Sequence, residues 1–159
     1  MPEGIDLREL WRVSNYHSLA GLGGRLAGGR WHTAGHSIVY LAESAAGALL
    51  EVLVHLDLED AELPTSYNLM RVVVAGDIEI EQLQSPADSS WRHNWKTTQW
   101  IGDEWLRSAR TALAEVPSAI MPKTRNYLLN PEHPEAERTQ IAEVIPADFD
   151  LRLIRKARP

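Results

Sequence analysis

Arg30 and Glu51 are the charged residues whose surroundings are best suited to binding and catalysis. Arg30 follows two consecutive glycines, which let a ligand approach the backbone closely. Its planar guanidinium can donate two parallel hydrogen bonds to phosphate oxygens. Glu51 shares a predicted helix face with Gly47, Ala48 and His55, so there is room for a ligand beside the carboxylate. Either residue taken alone also fits an ordinary solvated side chain, and local sequence favours that interpretation.

Ser118 and Asn126 are weaker candidates for the same site. Ser118 is a lone hydroxyl in the apolar run Val-Pro-Ser-Ala-Ile, where it must find a hydrogen-bond partner or face a cavity. It lacks the Gly-x-Ser-x-Gly turn of a serine hydrolase. Asn126 and Asn130 precede two prolines and are suited to organise a loop. The six histidines show no metal-ligand spacing and cysteine is absent, so we expect neither a metal site nor a thiol nucleophile.

A mixed sheet with flanking helices is predicted to position these residues. Short strands are predicted at residues 10–13, 30–32, 37–42, 67–75, 78–80, 116–121, 126–130 and 151–154. The strands 30–32 and 37–42 flank a turn and are expected to pair. The segment 21–29 holds five glycines and is predicted to be a loop.

Two helices are predicted by apolar residues at helical spacing. The first covers residues 44–56, with Ser44 as its N-cap and Glu51 away from its apolar stripe, which consists of Ala45, Leu49, Val52, Leu53 and Leu56. The second follows a cap at Thr97 or Thr98. The predicted strands lie towards both ends of the chain with few helices between them, which indicates the α+β class. The 159 residues are expected to form one domain, 1–159.

The composition narrows the possible functions. A formal net charge of -6 argues against a protein that mainly grips nucleic acid through phosphates. We accordingly expect the six tryptophans to form core or partner surface rather than a platform for bases. The lack of cysteine, of an apolar leader and of a membrane-length apolar run predicts a cytoplasmic protein without membrane contact.

Taken together, the segments resemble the RES domain, the toxin half of bacterial toxin–antitoxin pairs, over residues 10–154. The resemblance rests on the order and spacing of several short motifs. They are Leu10-Trp11-Arg12, Gly28-Gly29-Arg30-Trp31, Ile38-Val39-Tyr40-Leu41-Ala42, Ala48-Leu49-Leu50-Glu51, Val116-Pro117-Ser118-Ala119 and Asn126-Tyr127-Leu128-Leu129-Asn130-Pro131. One departure is His32, where the family commonly has asparagine.

The resemblance implies a fold related to ADP-ribosyltransferase toxins and an enzyme that consumes NAD⁺ as a substrate, with no separate cofactor. It implies that Arg12 and Arg30 hold the diphosphate or the adjacent ribose, that Tyr40 positions the nicotinamide-ribose end, and that Glu51 is the catalytic carboxylate. Arg30 and Tyr40 are counted with Glu51 as catalytic candidates. Ser118 is implied to line the same cleft, and Asn126 is included among the substrate-binding residues.

Cleavage of the nicotinamide–ribose bond develops positive charge on the ribose, which a carboxylate can stabilise. The acceptor can be water, phosphate or, in a protein ADP-ribosyltransferase, a protein side chain, and the sequence does not choose among them. The family also implies a helix-turn-helix antitoxin of the Xre type, through which any DNA contact would be made. The alternative from another class is a non-catalytic binding module, in which Arg12, Arg30 and Glu51 form a structural ion-pair cluster.

Overall fold

The computed structural model describes residues 6–55 and 66–154, apart from the side chain of Ile154. Its seven strands form one mixed sheet in the order β4-β5-β6-β2-β1-β3-β7. The strands are β1 (Leu7–Val13), β2 (Val39–Ala42), β3 (Ser66–Ala75), β4 (Ile80–Gln82), β5 (Leu113–Pro117), β6 (Arg125–Leu129) and β7 (Thr139–Asp148). Only the β4–β5 pair is parallel. The predicted α+β class is confirmed.

Four α-helices and two short 3₁₀ helices accompany the sheet in the described residues. They are α1 (Leu22–Leu26), α2 (Ala45–His55), α3 (Trp95–Ser108) and α4 (Leu151–Ile154), with 3₁₀ turns at Ser89–His93 and Pro134–Arg138. Ser44 caps α2 as predicted, because its hydroxyl accepts a hydrogen bond from the backbone N–H of Gly47 at 2.9 Å. Leu56, the predicted end of that helix, lies outside the described residues.

Apolar side chains alternate between two clusters, one on each face of the sheet. In β5, Leu113 belongs to the first cluster, whereas Ala114 and Val116 belong to the second. This is the period-two alternation expected of strands buried on both faces. The second cluster includes Trp105 of α3 and Trp91, so α3 covers that face. The helix α2 packs against β1 and β2, with Ala48 as its buried residue and most of the predicted stripe only half-buried.

The predicted hairpin of residues 30–32 and 37–42 is wrong. The bridge between Gly29 and His32 is the only strand-like pairing of the first segment, and β2 pairs instead with β1 and β6. Side chains of α3 and the Tyr40 hydroxyl form hydrogen bonds with the backbone of residues 29–33. Residues 30–32 therefore do not form the predicted strand, because they lie against α3 and not beside a neighbouring strand.

Other boundaries also differ from the prediction. The glycine-rich loop contains α1, the strand predicted at 78–80 begins at Ile80, and the extended run 116–121 ends at Pro117. The N-cap of α3 is Asn94, three residues before Thr97. Residues 151–154 form a helical turn instead of a strand, because the side chain of Asp150 accepts a hydrogen bond from the backbone N–H of Arg152 and β7 already occupies the sheet edge.

Candidate active site

A cavity of about 510 Å³ lies between α2, the glycine-rich segment and the first turn of α3. Its volume is typical of a small-molecule site. Five of the six predicted site residues line it, namely Arg12, Arg30, Tyr40, Glu51 and Asn126. The fold thus brings residues from distant motifs of the sequence together around one cavity.

A second, more open depression of about 880 Å³ lies beside the β3 end and Arg138. The guanidinium of Arg138 forms ion pairs with Asp77 and with Glu135. Because that cation is already engaged, the depression offers less for an anionic ligand than the first cavity does.

Glu51 is held by one carboxylate oxygen and presents the other to the cavity. Its Oε1 accepts a hydrogen bond from Asn126 Nδ2 at 2.7 Å and another from Ser118 Oγ at 3.1 Å. No residue in the described part of the chain donates to Oε2. A carboxylate with one oxygen fixed and one oxygen open is oriented to meet a ligand hydroxyl or a developing positive charge.

Ser118 lies behind Glu51 and is not among the described residues that line the cavity. Only 3% of its surface is exposed. Its hydroxyl donates to Glu51 and accepts hydrogen bonds from the backbone N–H groups of Ile120 and Met121 at 3.1 and 3.2 Å. The structure therefore corrects the expectation that Ser118 lines the cleft: this serine orients the carboxylate, and its partners account for the hydroxyl in an apolar segment.

Arg30 is anchored through one terminal nitrogen. Its Nη1 donates to the carbonyl oxygen of Arg92 at 2.8 Å and to that of Trp91 at 3.4 Å. The guanidinium carbon lies 5.1 Å from the centre of the Trp95 ring, a cation–π contact. Burial lowers the pKa of Arg30, and the nearby Glu51 carboxylate acts in the opposite direction. Arginine remains charged under these influences, so the cavity holds a fixed cation.

Tyr40 has a hydroxyl that is already committed to structural hydrogen bonds. It accepts from the backbone N–H of Trp31 at 3.0 Å and lies 2.7 Å from Nδ1 of His32. The other ring nitrogen of His32 lies 2.7 Å from the carbonyl oxygen of Gly24. Because a carbonyl can only accept, Nε2 carries the proton, and Nδ1 accepts from the Tyr40 hydroxyl. Burial raises the pKa of Tyr40 strongly, so its phenol stays protonated.

His32 thus ties Tyr40 to the glycine-rich segment. It is 1% exposed. A Cβ at Gly29 would lie 2.7 Å from the Tyr40 hydroxyl, which explains why glycine immediately precedes Arg30.

Arg12 lines the cavity with a buried Nε that has no hydrogen-bond partner among the described residues. Burial lowers the pKa of its guanidinium. Within residues 6–55 and 66–154, no ion pair joins Glu51 to Arg12 or to Arg30. The structural ion-pair cluster expected of a non-catalytic module is therefore not formed, and no carboxylate in the described part of the chain pairs with either cation.

The helix α3 positions the Arg30 segment, a role that the sequence reasoning missed. Thr98 Oγ1 donates to the carbonyl oxygen of Arg30 at 2.5 Å, and Gln99 Nε2 donates to that of Gly29 at 2.9 Å. The Asp103 carboxylate accepts from the backbone and hydroxyl of Thr33 at 2.9 and 2.6 Å. The signal in the sequence was a threonine and a glycine four residues apart, Thr98 and Gly102, which share one helix face and let a backbone approach it closely.

No group of potential metal ligands occurs among the residues that the structure describes. Within the same residues, no helix is long and apolar enough to cross a membrane.

Comparison with known proteins identifies the family of the chain. Residues 9–152 match the RES domain. The chain is 44% identical over 133 residues to the protein named Toxin Res of Pseudomonas putida, covering 83% of this chain and 90% of that protein. It is 38% identical to Toxin Res of Yersinia enterocolitica, covering 81% of this chain and 84% of that protein.

A further relative, from Sphingobium sp., is named Prs ADP-ribosylating toxin. It is 35% identical over 159 residues, covering 92% of this chain and 97% of the relative. The RES-domain match spans almost the whole described sheet and every described residue that lines the cavity, and the chain therefore belongs to the RES-domain family of toxins.

Proposed function

We propose that the chain cleaves the nicotinamide–ribose bond of NAD⁺ and arrests bacterial growth by consuming this dinucleotide. The observation that carries the proposal is the Glu51 carboxylate, which is fixed by Asn126 and Ser118 and opens onto a cavity that also holds Arg30. Because the two residues form no ion pair with each other, Arg30 can bind a diphosphate while Glu51 stabilises the positive charge that develops on a ribose.

The charged and aromatic candidates in the cavity have distinct parts in this reaction. Arg30 and Arg12 bind the negatively charged diphosphate, because guanidinium groups donate strong hydrogen bonds to phosphate oxygens. Tyr40 contributes its ring to the cavity wall and holds the backbone beside Arg30 through its hydroxyl. Glu51 faces the nicotinamide ribose.

In the chemical step the bond between ribose C1 and the nicotinamide nitrogen breaks, and its electron pair leaves with nicotinamide. Nicotinamide departs as a neutral molecule, so the leaving group needs no proton. The ribose becomes an oxocarbenium-like cation that Glu51 stabilises electrostatically. Water then adds at C1 and releases a proton, giving ADP-ribose, or phosphate adds and gives ADP-ribose 1-phosphate.

Protein ADP-ribosylation is the second candidate function. It is favoured by the printed name of the Sphingobium relative, which is called an ADP-ribosylating toxin. Both functions share cleavage of the same bond and differ in the acceptor.

Purified protein incubated with NAD⁺ tests the proposal. We expect release of free nicotinamide, together with ADP-ribose in phosphate-free buffer or its 1-phosphate when phosphate is added. NAD⁺ labelled in its adenine separates the second candidate, because the label would then remain on a protein band. No nicotinamide release under any of these conditions, including addition of a bacterial lysate as a source of protein acceptors, would contradict both.

An antitoxin of the Xre type is the proposed protein partner, and DNA would be contacted only through it. Co-expression with a neighbouring helix-turn-helix protein should restore growth and give a complex that copurifies. Independent migration of the two proteins on a sizing column would contradict this assignment.

A further inference from the structure

Among the described tryptophans, Trp95 and Trp11 line the cavity without being fully buried, and of these two only Trp95 has an arginine guanidinium over its ring. It is 38% exposed, whereas Trp31, Trp91 and Trp105 are 3%, 7% and 0% exposed and belong to the core. Trp95 is the first residue of α3 and lines the cavity. A large indole at the rim of this cavity offers a flat apolar surface that no described residue covers completely.

Two neighbours hold this indole in place. The Arg30 guanidinium lies over the ring at 5.1 Å from its centre, and the His55 ring meets it edge to face at 6.4 Å and 85°. A fixed orientation matters, because a preorganised ring loses little entropy when a planar ligand stacks on it.

The order of groups along α2 indicates which part of the substrate reaches Trp95. Glu51 and His55 are four residues apart on this helix and share one face, which places them about 6 Å apart along its axis. His55 contacts Trp95. A dinucleotide whose nicotinamide ribose lies at Glu51 and whose diphosphate lies at Arg30 therefore extends its other nucleoside toward Trp95.

We propose that Trp95 is the surface on which the adenine of NAD⁺ stacks, and that it makes the site prefer a dinucleotide over nicotinamide mononucleotide. The inference rests on the proposed function. It departs from the expectation that the tryptophans serve only as core or partner surface, because Arg30 supplies locally the positive charge that the chain lacks overall. Stacking of a base on an aromatic ring contributes enough to change affinity by about tenfold or more.

The test measures binding directly, by titration calorimetry with ADP and with nicotinamide mononucleotide. ADP contains adenine and the diphosphate, whereas the mononucleotide contains the nicotinamide ribose and one phosphate. Trp95→Ala is compared with the parental protein and with Trp100→Ala, a matched control on the same helix that is 66% exposed and is not among the residues lining the cavity. Thermal melts establish that all variants are folded, and Trp95→Phe retains an aromatic ring.

We expect Trp95→Ala to raise the dissociation constant of ADP about tenfold or more and to leave that of the mononucleotide within about twofold. Trp100→Ala should change neither constant, and Trp95→Phe should recover most of the ADP affinity. Equal weakening of both ligands would show that Trp95 acts only through Arg30 and would overturn the proposal, as would unchanged ADP binding or a parental protein that does not bind ADP. The measurement needs no turnover, so failure of NAD⁺ cleavage and failure of adenine stacking give different results.

Discussion

Arg30 uses one of its three nitrogens for structure and keeps two for a ligand. Among the described residues, only Nη1 is hydrogen-bonded, to the carbonyls of Trp91 and Arg92. Arg30→Lys retains the charge and loses the planar fork, so it cannot reproduce both the backbone anchor and a paired phosphate contact. We expect the KM for NAD⁺ to rise about tenfold or more, the loss typical of one strong charge-assisted contact.

Arg25→Lys is the matched control for this change, because Arg25 pairs with Glu132 on the surface. Steady-state nicotinamide release by the two variants checks the expectation. An unimpaired Arg30→Lys protein would show that a paired contact to phosphate is not needed.

Glu51→Gln separates the electrostatic role of Glu51 from its place in the hydrogen-bond network. The glutamine oxygen can still accept from Asn126 and Ser118, so we expect a change in unfolding free energy within about 1 kcal/mol. The charge that stabilises the ribose cation is lost, which should reduce the rate of nicotinamide release on the order of a hundredfold or more. Glu43→Gln, an exposed neighbour, should retain the parental rate. A fully active Glu51→Gln protein would remove Glu51 from the mechanism.

The raised pKa of Tyr40 leads us to expect that the stability of the protein depends on pH. Burial raises the pKa of its phenol above the ordinary value of 10.0, so the folded protein keeps a proton that the unfolded chain releases. The stabilisation is complete below about pH 10 and is lost as pH rises through the folded pKa, at no more than about 1.4 kcal/mol per pH unit. Burial also raises the pKa of Tyr127, whose contribution therefore has the same sign.

Urea unfolding at several pH values up to 11, for the parental protein and Tyr40→Phe, measures this contribution. We expect Tyr40→Phe to be less stable at neutral pH by about 1 to 3 kcal/mol, because Trp31 N–H and His32 Nδ1 lose their partner. Its stability should also decline less steeply above pH 10. Identical slopes for the two proteins would contradict the assignment.

At the scale of elements, α3 acts as the support of the binding segment. A Cβ at Gly102 would lie 1.6 Å from the carbonyl oxygen of Trp31, so Gly102→Ala must push the helix away from the Arg30 segment. We expect a loss of about 1 to 3 kcal/mol in unfolding free energy, the usual cost of overpacking, together with weaker NAD⁺ binding. Thermal melts and the KM for NAD⁺ measure the two effects.

Gly23→Ala is the control for the effect of adding a methyl group to a helical glycine. Gly23 lies in α1, and its Cβ would meet nothing within 4 Å. That substitution should be neutral or stabilising, by up to about 1 kcal/mol. If Gly102→Ala were as stable as the parental protein, the close packing of α3 on Trp31 would not matter.

The sequence predicted those elements whose local pattern and tertiary environment agree. The run Val72-Val73-Val74 is β-branched and lies in an interior strand, β3, and Ser44 caps α2 as expected. The segment around Trp31 has strand-like residues, yet α3 supplies three of its backbone hydrogen bonds from side chains 68 to 70 positions away. Such distant partners leave no trace in a local pattern.

The sequence predicted which residues form the candidate site better than it predicted the contacts between them. Ordered motifs indicated Arg30, Tyr40 and Glu51, and all three line one cavity. The sequence could not show that Ser118 donates a hydrogen bond to Glu51 or that His32 is hydrogen-bonded to the Tyr40 hydroxyl. The first contact depends on how α2 packs beside the end of β5, and the second on how the glycine-rich segment folds over β2.

At the scale of the whole molecule, the central claim is that this RES-domain chain is toxic because it consumes NAD⁺. The most direct measurement follows the intracellular NAD⁺ concentration and the growth of bacteria after induction of the chain without an antitoxin. We predict that NAD⁺ falls before or together with growth arrest, and that cells expressing Glu51→Gln at the same level keep both their NAD⁺ and their growth. Full growth arrest at an unchanged NAD⁺ concentration would contradict the account.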